Sequence, residues 1–202
     1  MKKPTLIVVC GPNGAGKTSI THKILNHKWI ENSIYINPDE IANNLFGDWN
    51  SLESIIKAAN YAKELREKCI ANGESFIFET VLSAEDKIDF LYMAKQKGYF
   101  IRVFFVGTES PTINAARIVQ RVMSGGHDVP IIKIISRYSK SIANCSVIAK
   151  FVDRLYVYDN SLDFKEPSLL FRASDGKLTK EYHKIKEWAD PIFNEVNKSK
   201  NH

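Results

Sequence analysis

No stretch of this 202-residue chain holds a long hydrophobic run, and no two of its three cysteines stand close together. A membrane-spanning helix needs about 18 apolar residues in sequence, so none is expected. The apolar run from Leu6 to Cys10 near the N-terminus is too short for a secretory signal. It also leads into a glycine-rich loop rather than a small-residue cleavage site. A cytoplasmic protein is therefore expected, with this run as its first strand. Cys10, Cys69 and Cys145 are scattered singly, which excludes a disulfide framework and a cysteine-held zinc site. Each reads as a small apolar filler. The chain also lacks internal repeats and low-complexity linkers, so residues 1–202 are expected to form a single domain. Charge of one sign is scarce as well: the net value is only +5. That suits a protein with phosphate-bearing ligands. The C-terminal lysines (Lys177, Lys180, Lys184, Lys186, Lys198 and Lys200) read as a solvated face. No aromatic platform is interleaved with basic residues, so a nucleic-acid partner is not expected.

What the chain does contain is an alternation of strand-like and helix-like segments. Thr5–Cys10 has the continuous apolar character of a buried parallel strand. Ile34–Asn37, Ser75–Glu79, Phe100–Val106 and Asp153–Tyr158 follow as strands. Helices are expected over Lys17–Asn26 and along the stripe Leu52, Ile55, Ile56, Ala59, Ala62 and Leu65. Ser83 and Asp86 suggest a capping box ahead of Ile88, Leu91 and Ala94. Ser110-Pro111 reads as an N-cap followed by a helix-opening proline. Pro130 could open a helix carrying Ile134, Ile135, Tyr138 and Ile142. The pattern predicts an α/β fold of P-loop kinase-like, three-layer type, a central parallel sheet with helices on both faces. A helical lid is expected near residues 110–140, with a small hairpin and a last helix over about 161–196. The hairpin pairs Ser168–Ala173 with Lys177–Thr179, and the helix spans roughly Glu181–Val196. Trp29, Trp49 and Trp188 read as packing residues, and Trp49 could also border an acceptor pocket.

Gly11-Pro12-Asn13-Gly14-Ala15-Gly16-Lys17-Thr18 matches G-x-x-x-x-G-K-[ST] between a strand and a helix. Such a loop aims backbone N–H groups at an anion, and the helix N-terminus adds partial positive charge. Residues Gly11 to Ser19 are thus expected to bind ATP, with Lys17 on the phosphates and Thr18 on Mg²⁺. GTPases add N-K-x-D and D-x-x-G segments, and neither occurs. ABC-type ATPases share the loop, and Ser124-Gly125-Gly126-His127 imitates their signature. The strand that follows ends Val157-Tyr158-Asp159-Asn160, without their Asp-Glu. A small kinase remains.

A kinase needs a base, a holder for its acceptor, and cations for the transferring phosphoryl group. Asp39, after the second strand, is either that base or an N-cap. Glu79-Thr80 ends the third strand, where a carboxylate handles metal, its water shell or substrate; a solvated strand end is the other reading. Arg117 and Arg121 share a helix face with Asn114. Gly125-Gly126 breaks that helix, His127 follows, and Arg137 lies in the next one. The arrangement reads either as a lid closing over phosphates or as a hairpin with solvated arginines. Arg102 and Arg154 read as structural.

Four segments together resemble the zeta toxin family, a branch of the P-loop kinases. They are Gly11–Thr18, Ile36-Asn37-Pro38-Asp39, Phe78-Glu79-Thr80, and Arg121 to Pro130 with its Gly-Gly-His-Asp-Val-Pro. They span roughly residues 5–160 and look most like the short stand-alone members found in bacteria. The resemblance implies ATP/Mg²⁺-dependent transfer to a hydroxyl, in the toxins that of a UDP-linked N-acetylated amino sugar. It makes Lys17, Asp39, Arg121 and Arg137 catalytic, with Asp39 as base. It also makes Glu79 and Thr80 acceptor-site residues and Arg121 a phosphate clamp, and it raises an antitoxin-like protein partner; from the residues themselves, Asp39, Arg117 and His127 are expected to join the acceptor-binding set. His127 stands where the toxins carry a second arginine, a charge Arg137 or Arg117 would supply. The alternatives are a polynucleotide 5′-hydroxyl kinase and a non-enzymatic nucleotide-dependent binding module.

Overall fold

The computed structural model describes residues 3–27, 33–47 and 50–198. Trp29, Trp49 and Lys200, singled out above, lie outside them. The chain alternates as read: β1 (Thr5–Cys10), α1 (Lys17–Leu25), β2 (Ile34–Ile36), α2 (Pro38–Phe46), α3 (Leu52–Asn72), β3 (Phe76–Thr80) and α4 (Glu85–Gln96). It continues with β4 (Phe100–Gly107), α5 (Pro111–Met123), α6 (Ile131–Ile148), β5 (Arg154–Asp159), β6 (Ser168–Ser174), β7 (Lys177–Glu181) and α7 (Asp190–Asn197). The strands join one sheet in the order β2-β3-β1-β4-β5-β6-β7. β1 to β5 run parallel, and β6 and β7 are antiparallel additions. The expected C-terminal hairpin is therefore no separate appendage; it prolongs the central sheet.

Alternation along β1 explains its unbroken apolar run. Leu6, Val8 and Cys10 enter one core, and Ile7 and Val9 enter another on the opposite face. The second core is covered by α1 through Ile20 and Ile24. The first, larger core takes residues from α3, α4, α6 and α7. All three cysteines are buried and free, as expected of fillers. Trp188 is buried against Phe105, and its indole N–H donates to Asp159 Oδ1 at 2.9 Å.

Several local expectations need correction. α4 begins at Glu85 with Ala84 as its N-cap, so Ser83 and Asp86 form no capping box. Pro130 is itself the N-cap of α6 rather than its first residue. The last helix starts only at Asp190, with Pro191 in its first turn, because Glu181 is taken up by β7. On α3 the buried stripe is Ser54, Ala58, Ala62, Arg66 and Cys69. Leu52 and Ile56, which the sequence pattern assigned to the inner face, are 72% and 52% exposed. The helix α6, expected to belong to a lid ending near residue 140, runs on to Ile148. Its second half carries Ile142, Cys145 and Ile148 into the main core. No helix among the described residues is long and apolar enough to cross a membrane.

Candidate active site

The carboxyl ends of β1, β2 and β3 open into one cavity of about 420 Å³. Its wall includes Asn13, Gly14 and Lys17 from the glycine loop, Asp39 from the start of α2, and Glu79 and Thr80 from the end of β3. Arg121, His127 and Arg137 come from α5, the turn after it and α6. Ligands on open parallel sheets bind at this end, where loops rather than strands set the surface.

The glycine loop is built against its neighbours. Gly11 has φ +145° and packs so close to β4 that a Cβ would lie 2.0 Å from the Val106 carbonyl oxygen. Gly14 has φ +75°, and a Cβ there would meet the Asn114 carbonyl oxygen at 2.4 Å. No other residue fits either position. Asn114, buried on α5, donates from Nδ2 to the Asn13 carbonyl at 2.6 Å. Asn160 at the end of β5 donates to the Ala15 carbonyl at 2.8 Å. Inside the loop, Lys17 Nζ donates to the carbonyls of Gly11 at 3.0 Å and Pro12 at 3.2 Å. The ammonium thus sits over the concave side of the loop. Burial lowers its pKa, the charges of Glu79 and Asp39 oppose that shift, and Arg121 adds to it.

Asn37, not Asp39, caps α2: its side chain accepts the Asp39 N–H at 3.0 Å. The N-cap reading of Asp39 therefore falls, and its carboxylate is left in the second position of the helix, bordering the cavity. Glu79 is held from two sides. Thr21 Oγ1 donates to its Oε1 at 2.6 Å, and the Tyr35 hydroxyl donates to the same atom at 2.8 Å. Burial and the negative charge of Glu79 push the Tyr35 pKa upward, so the phenol stays a donor. Thr80 turns its hydroxyl oxygen back to accept the Leu82 N–H at 3.2 Å.

The three arginines of α5 and α6 separate in what they touch. Arg137 Nη1 donates to Asn13 Oδ1 at 3.3 Å, which brings α6 onto the glycine loop. Arg121 donates from Nε and Nη2 to the His127 carbonyl at 3.1 and 2.7 Å, fixing the turn between α5 and α6. It still borders the cavity. Arg117 is absent from the cavity wall and pairs with Asp163 at 2.7 Å, in the segment after β5. His127 Nδ1 lies 3.2 Å from Asn50 Oδ1, and the Asp128 N–H donates to that oxygen at 3.1 Å. The turn between α5 and α6 is thereby tied to the start of α3. Thr18 and Ser19 lie exposed in the first turn of α1.

Thr21, Tyr35, Asn37, Asn114 and Asn160 complete the site but had little or no signal in sequence. Each acts through one hydrogen bond to a motif residue, and only the fold brings the pair together. Asn37 was the most legible, standing two residues before an acidic residue at a helix start.

The zeta toxin family matches over residues 1–163. This chain belongs to the zeta toxin family. An uncharacterized protein of Haemophilus influenzae is 32% identical over 121 residues, covering 60% of this chain and 83% of that protein. Among solved structures, the PezAT chromosomal toxin–antitoxin system of Streptococcus pneumoniae superposes with a TM-score of 0.64 at 18% identity. The match covers 97% of this chain and 79% of that one. AvrRxo1-ORF1:-ORF2 with ATP gives a TM-score of 0.65 at 17% identity, covering 96% of this chain and 64% of that one. The Pnkp1/Rnl/Hen1 RNA repair complex gives 0.54 at 16% identity, with 70% and 45% covered. At these identities the structures show the shared P-loop kinase-like fold, and the zeta toxin match supplies the family.

Proposed function

We propose that this zeta toxin family member transfers the γ-phosphoryl group of ATP to a hydroxyl of a small-molecule acceptor. One observation carries the reading: Lys17, Asp39, Glu79, Arg121 and Arg137 all border a single cavity of about 420 Å³. That size falls in the range of small-ligand sites. Phosphoryl transfer demands positioning and charge neutralisation more than covalent help from the protein.

In this reading Lys17 and the loop amides hold the phosphates, and Arg137 and Arg121 supply positive charge. Asp39 takes the proton from the acceptor hydroxyl. Glu79, fixed by Thr21 and Tyr35, orients the acceptor or its water. Arg117, tied to Asp163, serves the lid rather than the acceptor. Mg²⁺ fits the same residues. Such a site uses few protein oxygens alongside phosphates and water, and the Thr18 hydroxyl would be the protein ligand. When bound, the ion screens the phosphate charge.

Family membership favours a UDP-linked N-acetylated amino sugar as acceptor, and the toxin–antitoxin neighbour favours a protein inhibitor as partner. The test is incubation with γ-labelled ATP, Mg²⁺ and a panel of sugar nucleotides, other hydroxyl metabolites and 5′-hydroxyl oligonucleotides. Label on a small metabolite supports the reading. Label on oligonucleotides alone replaces it with polynucleotide kinase activity, and ATP binding without any transfer leaves a nucleotide-dependent binding module.

A further inference from the structure

The two faces of the sheet are covered unequally. α3, α4, α6 and α7 send residues into the larger core. Among the described residues, α1 is the helix that enters the smaller one, where Ile20 and Ile24 pack with residues of β1, β3 and β4. Beyond β4 that same face carries Arg154, Tyr156 and Tyr158 on β5 and Arg172 on β6, all half-buried. Lys180 on β7 and Tyr182 just after it are exposed.

Strand register sets these side chains next to one another. Phe104, Tyr156, Arg172 and Lys180 are paired in turn across β4, β5, β6 and β7. A register shift between Arg172 and Ala173 brings Lys180, rather than Thr179, opposite Arg172. The Phe104 and Tyr156 rings stack at 4.8 Å with their planes 8° apart. Lys180 Nζ lies 4.8 Å from the Tyr182 ring centroid. Burial raises the Tyr158 pKa, and nearby Tyr156 and Tyr182 add to the shift, so three phenols share one patch.

The carboxylates around this patch are engaged or face elsewhere. Asp175, at the hairpin tip, pairs with Arg154 at 3.4 Å, and Glu166 pairs with Lys23 of α1 at 2.7 Å. Glu181 stands opposite the core residue Phe171, on the other face. Among the described residues no carboxylate pairs with Arg172 or Lys180, and Arg172 Nε is sealed from solvent without a hydrogen-bond partner. No single segment of the chain interleaves aromatic and basic residues in this way; the pairing of four strands assembles them. Rings among cations on an open sheet combine base stacking with neutralisation of a phosphate backbone. A duplex keeps its base faces covered and an acidic peptide has none, so the rings favour a single strand.

We infer that the β5–β7 face binds single-stranded nucleic acid, with bases against Tyr156, Tyr158 and Tyr182 and phosphates on Arg172 and Lys180. None of these five residues borders the active-site cavity. The inference stands apart from the kinase reading and does not depend on it.

The test titrates the whole protein into a labelled oligothymidylate of about 15 nucleotides, a length within the usual site sizes. Fluorescence anisotropy follows binding, with a non-hydrolysable ATP analogue and Mg²⁺ present. Affinity should fall with salt, log K dropping by about 0.7 per tenfold of salt for each phosphate engaged. Arg172→Gln and Lys180→Ala should each reduce that slope by about 0.7. Tyr182→Ala should weaken binding by about tenfold, and Tyr182→Phe should keep it, since stacking needs the ring and not the hydroxyl. Lys180 and Tyr182 are exposed, so their variants alter the surface without opening a core. Lys140→Ala removes a like charge from the exposed side of α6, across the sheet, and should leave affinity unchanged. Absence of binding overturns the inference. So does an equal loss in Lys140→Ala, the mark of a response to net charge alone. Equal affinity for polyglutamate or for duplex DNA also overturns it, in favour of an acidic protein partner or of phosphate contacts alone. Binding seen only when the ATP analogue is left out puts the strand in the active-site cavity and overturns it as well.

Discussion

The Tyr35 hydroxyl donates to Glu79 Oε1 at 2.8 Å, so a residue of the edge strand β2 fixes the carboxylate that ends β3. Thr21 of α1 donates to the same oxygen at 2.6 Å. Glu79 thereby reports on three separate elements. Tyr35→Phe removes one donor and is expected to cost about 1 kcal/mol of stability, the usual net worth of one hydrogen bond. Turnover should fall further than stability does, because the remaining donor leaves the carboxylate free to rotate. Urea unfolding and acceptor phosphorylation measured on the same preparation give the two numbers. Equal turnover in wild type and variant would remove Glu79 orientation from the mechanism.

Asp39→Asn separates proton transfer from binding. The amide keeps the shape and the cap made by Asn37, but it cannot accept the acceptor's proton. Transfer should drop by about 10²- to 10⁴-fold, the span general bases contribute. Affinity for ATP, measured by calorimetry, should stay within about twofold, since a transition-state role need not appear in ground-state binding.

The arginines differ in what they touch, and that orders their expected effects. Arg137 reaches the glycine loop through Asn13, whereas Arg117 is engaged by Asp163. Arg137→Ala should lower turnover by about 10²- to 10³-fold, comparable to losing one preorganised charge donor. Arg117→Ala should act less on turnover and more on the fit between α5 and the segment after β5. Steady-state kinetics of both variants, with Lys17→Ala as the inactive reference, decide the order. A larger turnover loss in Arg117→Ala would reverse the assignment.

Alkaline pH should loosen the fold through two buried phenols. Tyr99 donates to the carbonyls of Cys69 at 2.8 Å and Glu74 at 2.9 Å, and Tyr138 donates to the Thr108 carbonyl at 2.6 Å. Burial pushes both pKa values up to about 12. Between pH 10 and 12 the unfolded chain has lost these protons and the folded chain still holds them. The unfolded state then binds fewer protons, so stability falls as pH rises through that window. Below pH 10 their contribution is complete. Tyr99→Phe should flatten the decline, as followed by thermal unfolding from pH 8 to 12.

Trp188 ties the C-terminal segment to the site. Its ring fills the space beside Gly107, where a Cβ would approach to 2.3 Å, and its indole N–H holds Asp159. Trp188→Ala should destabilise by about 3–5 kcal/mol, as emptying a large aromatic position generally does. Denaturant melts measure it, and a cost below about 1 kcal/mol would show that the segment docks by other contacts.

What the sequence disclosed, and what it withheld, follows the range of the forces involved. The glycine loop was legible because its motif is written in eight consecutive residues. Strand order and the antiparallel end of the sheet were not, since pairing of β5 with β6 depends on contacts that no local pattern encodes. Asp39 stayed ambiguous until Asn37 was found capping α2. Arg66 escaped notice for a definite reason: the apolar periodicity of α3 pointed to Ala62, which is buried, but also to Leu52 and Ile56, in whose place the helix buries Ala58 and Arg66. A charged residue on the inner stripe is the exception that hydrophobic pattern rules are least able to see.

Helix α6 serves two masters. Near its start it presents Arg137 to the glycine loop, and two turns later it is embedded through Cys145 and Ile148. Such a helix cannot swing away as a rigid flap without dragging hydrophobic contacts into water. On the kinase reading, opening of the cavity is then expected to bend at Gly125–Gly126 and to part Asn50 from His127 and Asp128, with α6 as the fixed jamb of the door. A cavity-forming substitution at Ile148 would then blunt catalysis from well outside the pocket, by letting that jamb drift.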